Sequence, residues 1–476
     1  MKKEIRLRFA PSPTGKLHIG GVRTFLFNYL YAKHYNGKLF LRIEDTDIER
    51  NIKDFYKEIE HLNKLNLKWD NFFEDNTIYT QSKNLKLYQK IALDLIDKGL
   101  AYKCFCTKQE LEDSRNLQAK NGIKSPKYNE KCRNFSIEDQ EKFSKKSSFT
   151  IRIKREKNLD IKFFDLNFSE ITVNTNDLDD FVIIKENGHP TYNFACVIDD
   201  FLMGITHVFR GQEHIANTPK QIIIQKFLKY PEISYCHFSV IVDKYGKKLS
   251  KRNKETKQFL SDYLNEGYLP EAIINFLALL GWFPLQKDSE VFVLDELIKA
   301  FDGKNISKSP SFFDDTKLLF FNFSHLQKLN DEEYYNYLKT FSKKFSLLNQ
   351  EDGGKIAKYY KNELQIAKEL DQKLEWLEES NPFLPENIQF LKDNFHIAKL
   401  IYEYVLEKDA FSYDELINFL SKEKKILKNK NLFFTIRLLI TKTTKGPELK
   451  FIFFFFSLDK IKKRIINNFR TFKNDH

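Results

Sequence analysis

Two stretches of the chain carry residues suited to binding and transferring phosphate. The tetrapeptide His18–Gly21 opens a predicted helix directly after a tight turn, and its two glycines leave backbone N–H groups accessible to an anion. Lys248, Ser250 and Lys251 lie in a loop hinged at Gly246, where cations would neutralise a polyphosphate. Either stretch alone would more simply be an exposed turn. As a pair, they predict a nucleotide site.

Three carboxylates follow the second predicted strand, which spans residues 38–43. In an open α/β sheet, ligands bind beyond the carboxyl ends of the strands, so Glu44, Asp45 and Asp47 would face the same crevice as the nucleotide site. An alternative is that they cap a helix predicted to begin near Ile48. Both can hold, with Asp45 to Asp47 as caps and Glu44 as the functional residue.

The elements that position these residues form a strand, a turn and a helix at the start of the chain. Residues 5–9 alternate apolar and charged side chains, which predicts a half-buried strand. Prolines and a glycine over residues 11–15 predict a turn. The 3.6-residue spacing of apolar side chains from Val22 onward predicts a helix that stops at Gly37.

The composition is that of a globular protein with a basic surface. The 476 residues suffice for two to four domains, 42% of them are hydrophobic, and the net charge is +12 with a pI near 9.0. This balance favours an anionic partner such as nucleic acid, although A/T-rich codons also supply surplus lysine. No signal peptide or membrane-spanning run is predicted, and five cysteines suit a reducing compartment, so we expect a cytoplasmic protein.

Several stretches resemble the bacterial type of glutamyl-tRNA synthetase, a family of class I aminoacyl-tRNA synthetases. The resemblance lies in Arg8–Gly15, His18–Gly21, Arg42–Asp47, Thr191–Asp200, Gly204–His214 and Asp243–Arg252. His18–Gly21 and the lysine-rich loop correspond to the two signatures of the class. The resemblance thins in the C-terminal region.

The resemblance implies roles for individual residues. The ATP-binding residues that it implies are His18, Gly20, Gly21, Lys248, Ser250 and Lys251, of which His18, Lys248 and Lys251 are also catalytic. The glutamate-binding residues that it implies are Arg8, Ser12, Glu44, Tyr192 and Arg210. A glutamate substrate carries two carboxylates and one ammonium, and Arg8, Arg210 and Glu44 supply two cations and one anion. Without the family match, Arg210 would be assigned an interior ion pair with Asp199 or Asp200.

One set of residues in the sequence has types and spacing that suit metal ligands, namely Cys104, Cys106 and Cys132. Three cysteines this close together, in a reducing compartment, indicate zinc. Some members of the resembled family place a fourth ligand where this chain has Asn134, a poor zinc ligand, whereas others use a Tyr at the position of Tyr128. The alternative is a set of buried, reduced thiols. A zinc ion here would be structural, with no open coordination position.

The resemblance also implies an α/β fold in three parts. These are a class I Rossmann-like parallel sheet, an inserted α+β domain that binds the tRNA acceptor end, and an all-α C-terminal domain that binds the anticodon. We place the catalytic domain at residues 1–310, the insertion at about 83–190 and the helical region at 311–476. The sheet is expected to resume at Thr191–Asp200, and Phe451–Phe456 is expected to lie in the core.

These features predict an enzyme that joins L-glutamate to tRNA(Glu) in two steps, through glutamyl-adenylate, using ATP with Mg²⁺. The family suggests a monomer that does not bind a membrane. One alternative is a glutaminyl-tRNA synthetase. The amino-acid sequence of Ala10–Gly15 and the predicted helical C-terminal region both argue against it. Another is a non-catalytic, tRNA-binding relative of the synthetases. The sequence leaves open whether tRNA(Gln) is also charged.

Overall fold

The computed structural model describes residues 4–47, 51–52, 55–75, 77–249, 257–285, 289–422 and 431–474. It divides into two compact units. The first is formed by residues up to 265 together with 269–321, and the second by residues 266–268 together with those from 322 onward.

The strands of the described residues all lie in the first unit. They are β1 (Arg6–Phe9), β2 (Lys38–Ile43), β3 (Tyr79–Thr80), β4 (Ala101–Cys104), β5 (Thr150–Ile153), β6 (Asp160–Asp165), β7 (Ser169–Asn174), β8 (Val182–Ile184), β9 (His207–Gly211), β10 (Ser234–Phe238), β11 (Ile241–Val242) and β12 (Ser311–Phe312).

Helices occur in both units. Up to residue 328 they are α1 (Ile19–His34), α2 (Phe55–Asn63), α3 (Leu85–Asp97), α4 (Lys108–Lys120), α5 (Ile137–Ser144), α6 (Tyr192–Leu202), α7 (Thr218–Leu228), α8 (Leu260–Glu266), α9 (Pro270–Leu279), α10 (Leu294–Ala300) and α11 (Asp315–Lys328). Beyond it they are α12 (Asp331–Phe341), α13 (Lys343–Ser346), α14 (Gln350–Tyr360), α15 (Leu370–Lys373), α16 (Pro385–Asp393), α17 (Phe395–Glu407), α18 (Tyr413–Lys422), α19 (Asn431–Thr441), α20 (Leu449–Phe455) and α21 (Leu458–Asn474).

Parallel strands form the central layer of the first unit. Strand β2 lies between β1 and β3, and β10 lies between β9 and β6, with every pair parallel; β7 adds an antiparallel edge beside β6. The two sets meet where the Thr206 amide donates to the Arg6 carbonyl at 2.9 Å. Strand β6 lies inside the predicted insertion and pairs with β10, and the domain boundaries placed from the sequence stay a prediction.

The segment at which the sheet was expected to resume is a helix instead. Residues Tyr192–Leu202 form α6, and the sheet resumes at β9. Tyr192, Cys196 and Asp200 are spaced four apart and therefore share one face of the helix, while the apolar residues between them pack into a core with α3 and α7. An almost continuous apolar run does not distinguish a buried helix from a buried strand.

Helix α1 ends at His34, three residues before the glycine predicted to stop it. Asn36 adopts the left-handed conformation there, with φ of 52°. Gly37 is needed for another reason, because a Cβ at this position would lie 2.3 Å from the carbonyl oxygen of Ile5. The glycine thus allows the chain to pass close to β1 as it enters β2.

Strand β1 is more deeply buried than the half-buried strand expected from its alternating pattern. Leu7, Arg8 and Phe9 are all buried. The strand lies inside the sheet with α1 packed on it, so both of its faces are covered. The charge of Arg8 is accommodated because an acidic side chain meets it there.

The second unit is helical. Residues 322–422 and 431–474 contain no strand, and α17, α19 and α21 pack against one another. Of the phenylalanine-rich segment expected in the core, Phe455 and Phe456 are buried, whereas Phe454 is 66% exposed. No described helix is long and apolar enough to cross a membrane. The predicted α/β class and the helical C-terminal region are confirmed.

Candidate active site

The first predicted phosphate-binding element is a capped helix start. His18 is the N-cap of α1, and its Nδ1 accepts a hydrogen bond from the Gly20 amide at 3.0 Å. This bond places the ring proton on Nε2 when the imidazole is neutral. A Cβ at Gly20 would lie 3.3 Å from His18 Nδ1 and 4.0 Å from Cδ1 of Ile241. A glycine here therefore lets the histidine and β11 approach the helix start closely.

The chain segment that follows the second predicted element lies next to the first element. The Ile19 amide donates to the Gln258 carbonyl at 2.8 Å, and the Leu260 amide donates to the Leu17 carbonyl at 3.1 Å. The chain that follows the lysine-rich loop thus returns to the start of α1. Ser250 and Lys251 lie outside the described residues, so their predicted roles stay predictions.

Lys248 lies in a hydrogen-bonded turn. The Asp243 carboxylate accepts from the amides of Tyr245 and Lys247 at 2.9 Å each, and Gly246 supplies the positive φ of 74° that the turn requires. The Lys248 Nζ lies 3.7 Å from a carboxylate oxygen of Glu213, and both side chains are about half exposed. Such an exposed pair contributes little stability, so the lysine is available to an anionic ligand.

A buried ion cluster lies at the carboxyl ends of β1 and β2. Arg8 Nε and Arg42 Nη1 donate to the same oxygen of Asp200, at 3.0 and 2.6 Å, and Arg42 Nη2 donates to Glu44 at 3.0 Å. Burial alone raises the pKa of Asp200, but the two arginines outweigh it and hold that pKa below its ordinary value. Burial also raises the pKa of Glu44, and here Arg42 and Arg8 oppose the effect without cancelling it.

The candidate glutamate residues gather around this cluster. Tyr192 lies one helical turn before Cys196 on α6, and Cys196 Sγ accepts from Arg8 Nη2 at 3.8 Å and from Arg42 Nη2, which also donates to Glu44, at 3.4 Å. Arg210 Nη1 donates to the Tyr192 hydroxyl at 3.3 Å. Four of the five predicted residues therefore share one site. The fifth, Ser12, is exposed on the turn before α1.

Arg42 and Asp200 complete the cluster, and their roles were not recognised from the sequence. Arg42 is fully buried, and Asp200 is 3% exposed. The sequence did contain a signal for such a cluster, because Asp199 and Asp200 follow an apolar run and buried acids require cationic or hydrogen-bonding partners. The ion pair considered for Arg210 is wrong: Asp200 pairs with Arg8 and Arg42, and Asp199 accepts from the hydroxyls of Tyr79 and Tyr88 and the amide of Gln81.

The carboxylate of Asp45 holds a turn elsewhere in the chain, and the predicted capping role of Asp47 stays a prediction. The Asp45 carboxylate accepts from the amide of Ser82 at 2.8 Å, so it fixes the turn before α3. The helix expected near Ile48 would begin outside the described residues. Glu44 itself is held in place by its amide, which donates to the Pro11 carbonyl at 3.1 Å.

The three predicted zinc-binding cysteines form a cluster. Their sulphur atoms lie within 4.8 Å of one another, and the pair Cys106 and Cys132 is separated by 3.7 Å. The Tyr128 hydroxyl lies 3.4 Å from Cys104 Sγ and 3.8 Å from Cys106 Sγ. Thiolates at tetrahedral corners about 2.3 Å from one Zn²⁺ lie about 3.8 Å apart. The donor set and its spacing therefore fit a structural zinc ion.

Comparison with known proteins assigns the family. Residues 4–320 match the family model described as "tRNA synthetases class I (E and Q), catalytic domain". A glutamate–tRNA ligase from Ureaplasma parvum serovar 3 is 39% identical over 482 residues, covering 98% of this chain and 98% of that protein. One from Mycoplasma genitalium is 40% identical, covering 99% of each chain. The chain belongs to the glutamate–tRNA ligase family.

A solved structure of the glutamate–tRNA ligase family extends the match to the whole fold. A glutamate–tRNA ligase from Elizabethkingia meningosepticum, crystallised in complex with its amino acid, has a TM-score of 0.84 and 29% identity, covering 98% of this chain and 100% of that one. The resemblance to glutamyl-tRNA synthetases is thereby confirmed. Both the α/β unit and the helical unit fall within the region covered by the full-length relatives and the solved structure.

Proposed function

We propose that this chain is a glutamate–tRNA ligase, which uses ATP to attach L-glutamate to tRNA(Glu). The observation that carries the proposal is the buried site in which Arg210 donates to Tyr192, while Arg8 and Glu44 belong to the adjoining cluster around Arg42 and Asp200. Two fixed cations and one anion complement the two carboxylates and the ammonium of glutamate. Glutamine carries an amide in place of the second carboxylate and would leave one buried arginine without an anionic partner.

The first step forms glutamyl-adenylate. An oxygen of the glutamate α-carboxylate attacks the α-phosphorus of ATP, a new O–P bond forms, and the bond to the bridging oxygen breaks so that pyrophosphate leaves with the electron pair. In the second step, the terminal ribose hydroxyl of tRNA attacks the glutamyl carbonyl and gives up its proton, so that an ester C–O bond forms. The bond between the carbonyl carbon and the phosphate oxygen breaks, and AMP leaves with the electron pair. Such chemistry requires the protein to position the reactants and stabilise negative charge more than to supply a nucleophile.

The phosphates would lie between the start of α1 and the lysine-rich loop. The capped helix start, with His18 and the Gly20 and Gly21 backbone, offers N–H groups and the positive end of the helix dipole. Lys248, Ser250 and Lys251 would add further donors to the phosphates. Mg²⁺ bound to ATP would neutralise part of the phosphate charge.

Lys248→Ala is expected to lower kcat for glutamate-dependent ATP–pyrophosphate exchange by roughly 10–100-fold. The substitution removes an ammonium group whose interaction with the phosphate oxygens becomes stronger in the transition state. The melting temperature should stay unchanged, since the lysine is exposed and its ion pair with Glu213, at 3.7 Å, lies at the surface. Lys244→Ala, in the same turn, is the matched control and should keep wild-type activity. Equal activity of the two variants would contradict the role of Lys248.

The cysteine cluster supports the proposal of one structural zinc ion, held by Cys104, Cys106, Tyr128 and Cys132. We expect about one zinc per chain by elemental analysis of reduced protein. Cys106→Ser should lower the zinc content severalfold, because a hydroxyl replaces a thiolate ligand. Cys236→Ala, which alters a buried cysteine on β10 outside the cluster, should keep the zinc. Wild-type protein free of zinc after growth in zinc-supplemented medium would contradict the assignment.

ATP–pyrophosphate exchange tests the proposed function against its alternatives. The assay is run with glutamate and with glutamine, each with and without tRNA(Glu). Exchange that depends on glutamate supports the ligase, whether or not tRNA is required. Exchange with glutamine alone would favour a glutaminyl-tRNA synthetase. tRNA binding without any exchange would favour a non-catalytic relative.

A further inference from the structure

The Arg210 guanidinium is held by hydrogen bonds on three of its edges. Nε donates to Nε2 of His237 at 3.1 Å, and Nη2 donates to Oγ1 of Thr218 at 2.7 Å and to the His214 carbonyl at 3.5 Å. Nη1 donates to the Tyr192 hydroxyl at 3.3 Å. An arginine carries five N–H donors, and one on Nη1 has no partner among the described residues. The Nη1 end is therefore the end that can receive a ligand.

The hydrogen bond from Arg210 fixes the tautomer of His237. Arginine only donates, so Nε2 of His237 must accept and the ring proton must lie on Nδ1. Nδ1 donates that proton to the Asp165 carboxylate at 2.6 Å. Burial lowers the pKa of His237 and outweighs the hydrogen bond to Asp165, which raises it. A neutral imidazole is the form that the geometry requires.

Three neighbouring strands supply this chain of side chains. In the parallel ladder His237 on β10 lies opposite Arg210 on β9, and Asp165 at the end of β6 lies opposite Tyr235. Asp165 and His237 are both completely buried. The second oxygen of Asp165 accepts from the amides of residues 167 and 168 at 3.0 and 2.8 Å, which fixes the carboxylate.

We propose that Asp165 and His237 are positioning residues that hold the Arg210 guanidinium with its Nη1 edge presented to a carboxylate of glutamate. This inference rests on the proposed function. Asp165 keeps the proton on Nδ1 of His237, and the bare Nε2 then accepts from Arg210. With the proton on Nε2, two N–H groups would point at each other and the guanidinium would have to turn away. Neither positioning residue would touch the substrate.

Asp165→Asn is the most informative variant. The side chain keeps its volume and the oxygen that accepts the two backbone amides, but its NH₂ group can donate to Nδ1 of His237 and so move the ring proton to Nε2. We expect the KM for glutamate in ATP–pyrophosphate exchange, with saturating tRNA(Glu), to rise roughly 10–100-fold. The KM for ATP should stay within about twofold. Asp160→Asn, at the exposed start of the same strand, is the matched control.

Variants of His237 separate positioning from packing. His237→Phe keeps an aromatic ring but removes the acceptor, so it should raise the KM for glutamate as Asp165→Asn does. His237→Gln can offer an amide oxygen near the Nε2 position, so it should restore most of the affinity. A purely structural role would move the melting temperature and both KM values together, and would not distinguish Gln from Phe.

The outcomes separate this inference from the proposed function. A selective rise in the KM for glutamate in Asp165→Asn and His237→Phe, with recovery in His237→Gln, supports the positioning role. An active wild-type enzyme whose two variants keep the wild-type KM for glutamate, or change both KM values equally, overturns the positioning role alone. A wild-type chain without glutamate-dependent exchange overturns the proposed function and this inference with it.

Discussion

Arg210→Ala is expected to lower kcat/KM for glutamate in adenylate formation by about 10³-fold, or about 4 kcal/mol of transition-state stabilisation. The side chain is 4% exposed, so a substrate carboxylate bound to it would be shielded from water and could not recover the lost interaction from solvent. The substitution also leaves the buried partners of the guanidinium unsatisfied. ATP–pyrophosphate exchange over a range of glutamate concentrations measures the effect.

The Arg210 prediction has a control and a second expected feature. Arg470→Ala removes an exposed arginine on α21 and should leave kcat/KM for glutamate unchanged. Arg210→Lys should recover little activity, because an ammonium cannot replace a planar group that binds several acceptors at once. A loss below about threefold in Arg210→Ala would show that another cation binds the substrate carboxylate.

Asp200→Asn is expected to lower the stability of the folded state by about 3–5 kcal/mol and to abolish most activity. The carboxylate receives Arg8 at 3.0 Å and Arg42 at 2.6 Å, so its neutralisation leaves two cations buried with Glu44 as the nearest remaining anion. Differential scanning calorimetry should show a clear fall in melting temperature. Asp94→Asn, which alters an exposed acid on α3, is the control and should change the melting temperature little.

The effect of Asp200→Asn should depend on pH in a definite direction. The pKa of Asp200 is held below its ordinary value of 3.8, so its charge stabilises the folded state above that value. This stabilisation is lost as the pH falls through the lower folded-state pKa. The difference in melting temperature between wild type and variant should therefore be largest near neutral pH and shrink in acid. A difference that grows in acid would contradict the ion cluster.

The opening of the chain was predictable because its signals are local. Alternation over residues 5–9, the prolines that follow and the helical spacing from Val22 each depend on near neighbours, and the structure has β1, a turn and α1 there. Helix α6 was mistaken for a strand because it is buried on most sides, so its sequence lacks the polar face that marks a surface helix. Local pattern does not reveal how many sides of an element are covered.

The candidate site likewise contains residues that local sequence motifs indicate and residues that they do not. Residues that belong to motifs, such as His18, Lys248 and Arg210, were proposed as site residues because their types and spacing resemble a family. The partners of such residues were missed, since Asp200 lies 192 positions from Arg8, and Asp165 lies 72 positions from His237, the residue that accepts from Arg210. Only the fold brings such residues together. A buried charge requires an oppositely charged or hydrogen-bonding partner, but the sequence does not indicate which residue that partner is.

Charging of tRNA tests the central claim most directly. Purified chain is incubated with ATP, Mg²⁺, tRNA(Glu) and radiolabelled glutamate or glutamine, and the aminoacyl ester is measured on the recovered tRNA. The proposed function predicts glutamate on the tRNA, dependence on ATP, and no ester with glutamine. Glutamine on the tRNA, or intact tRNA binding with no ester from either amino acid, would contradict it.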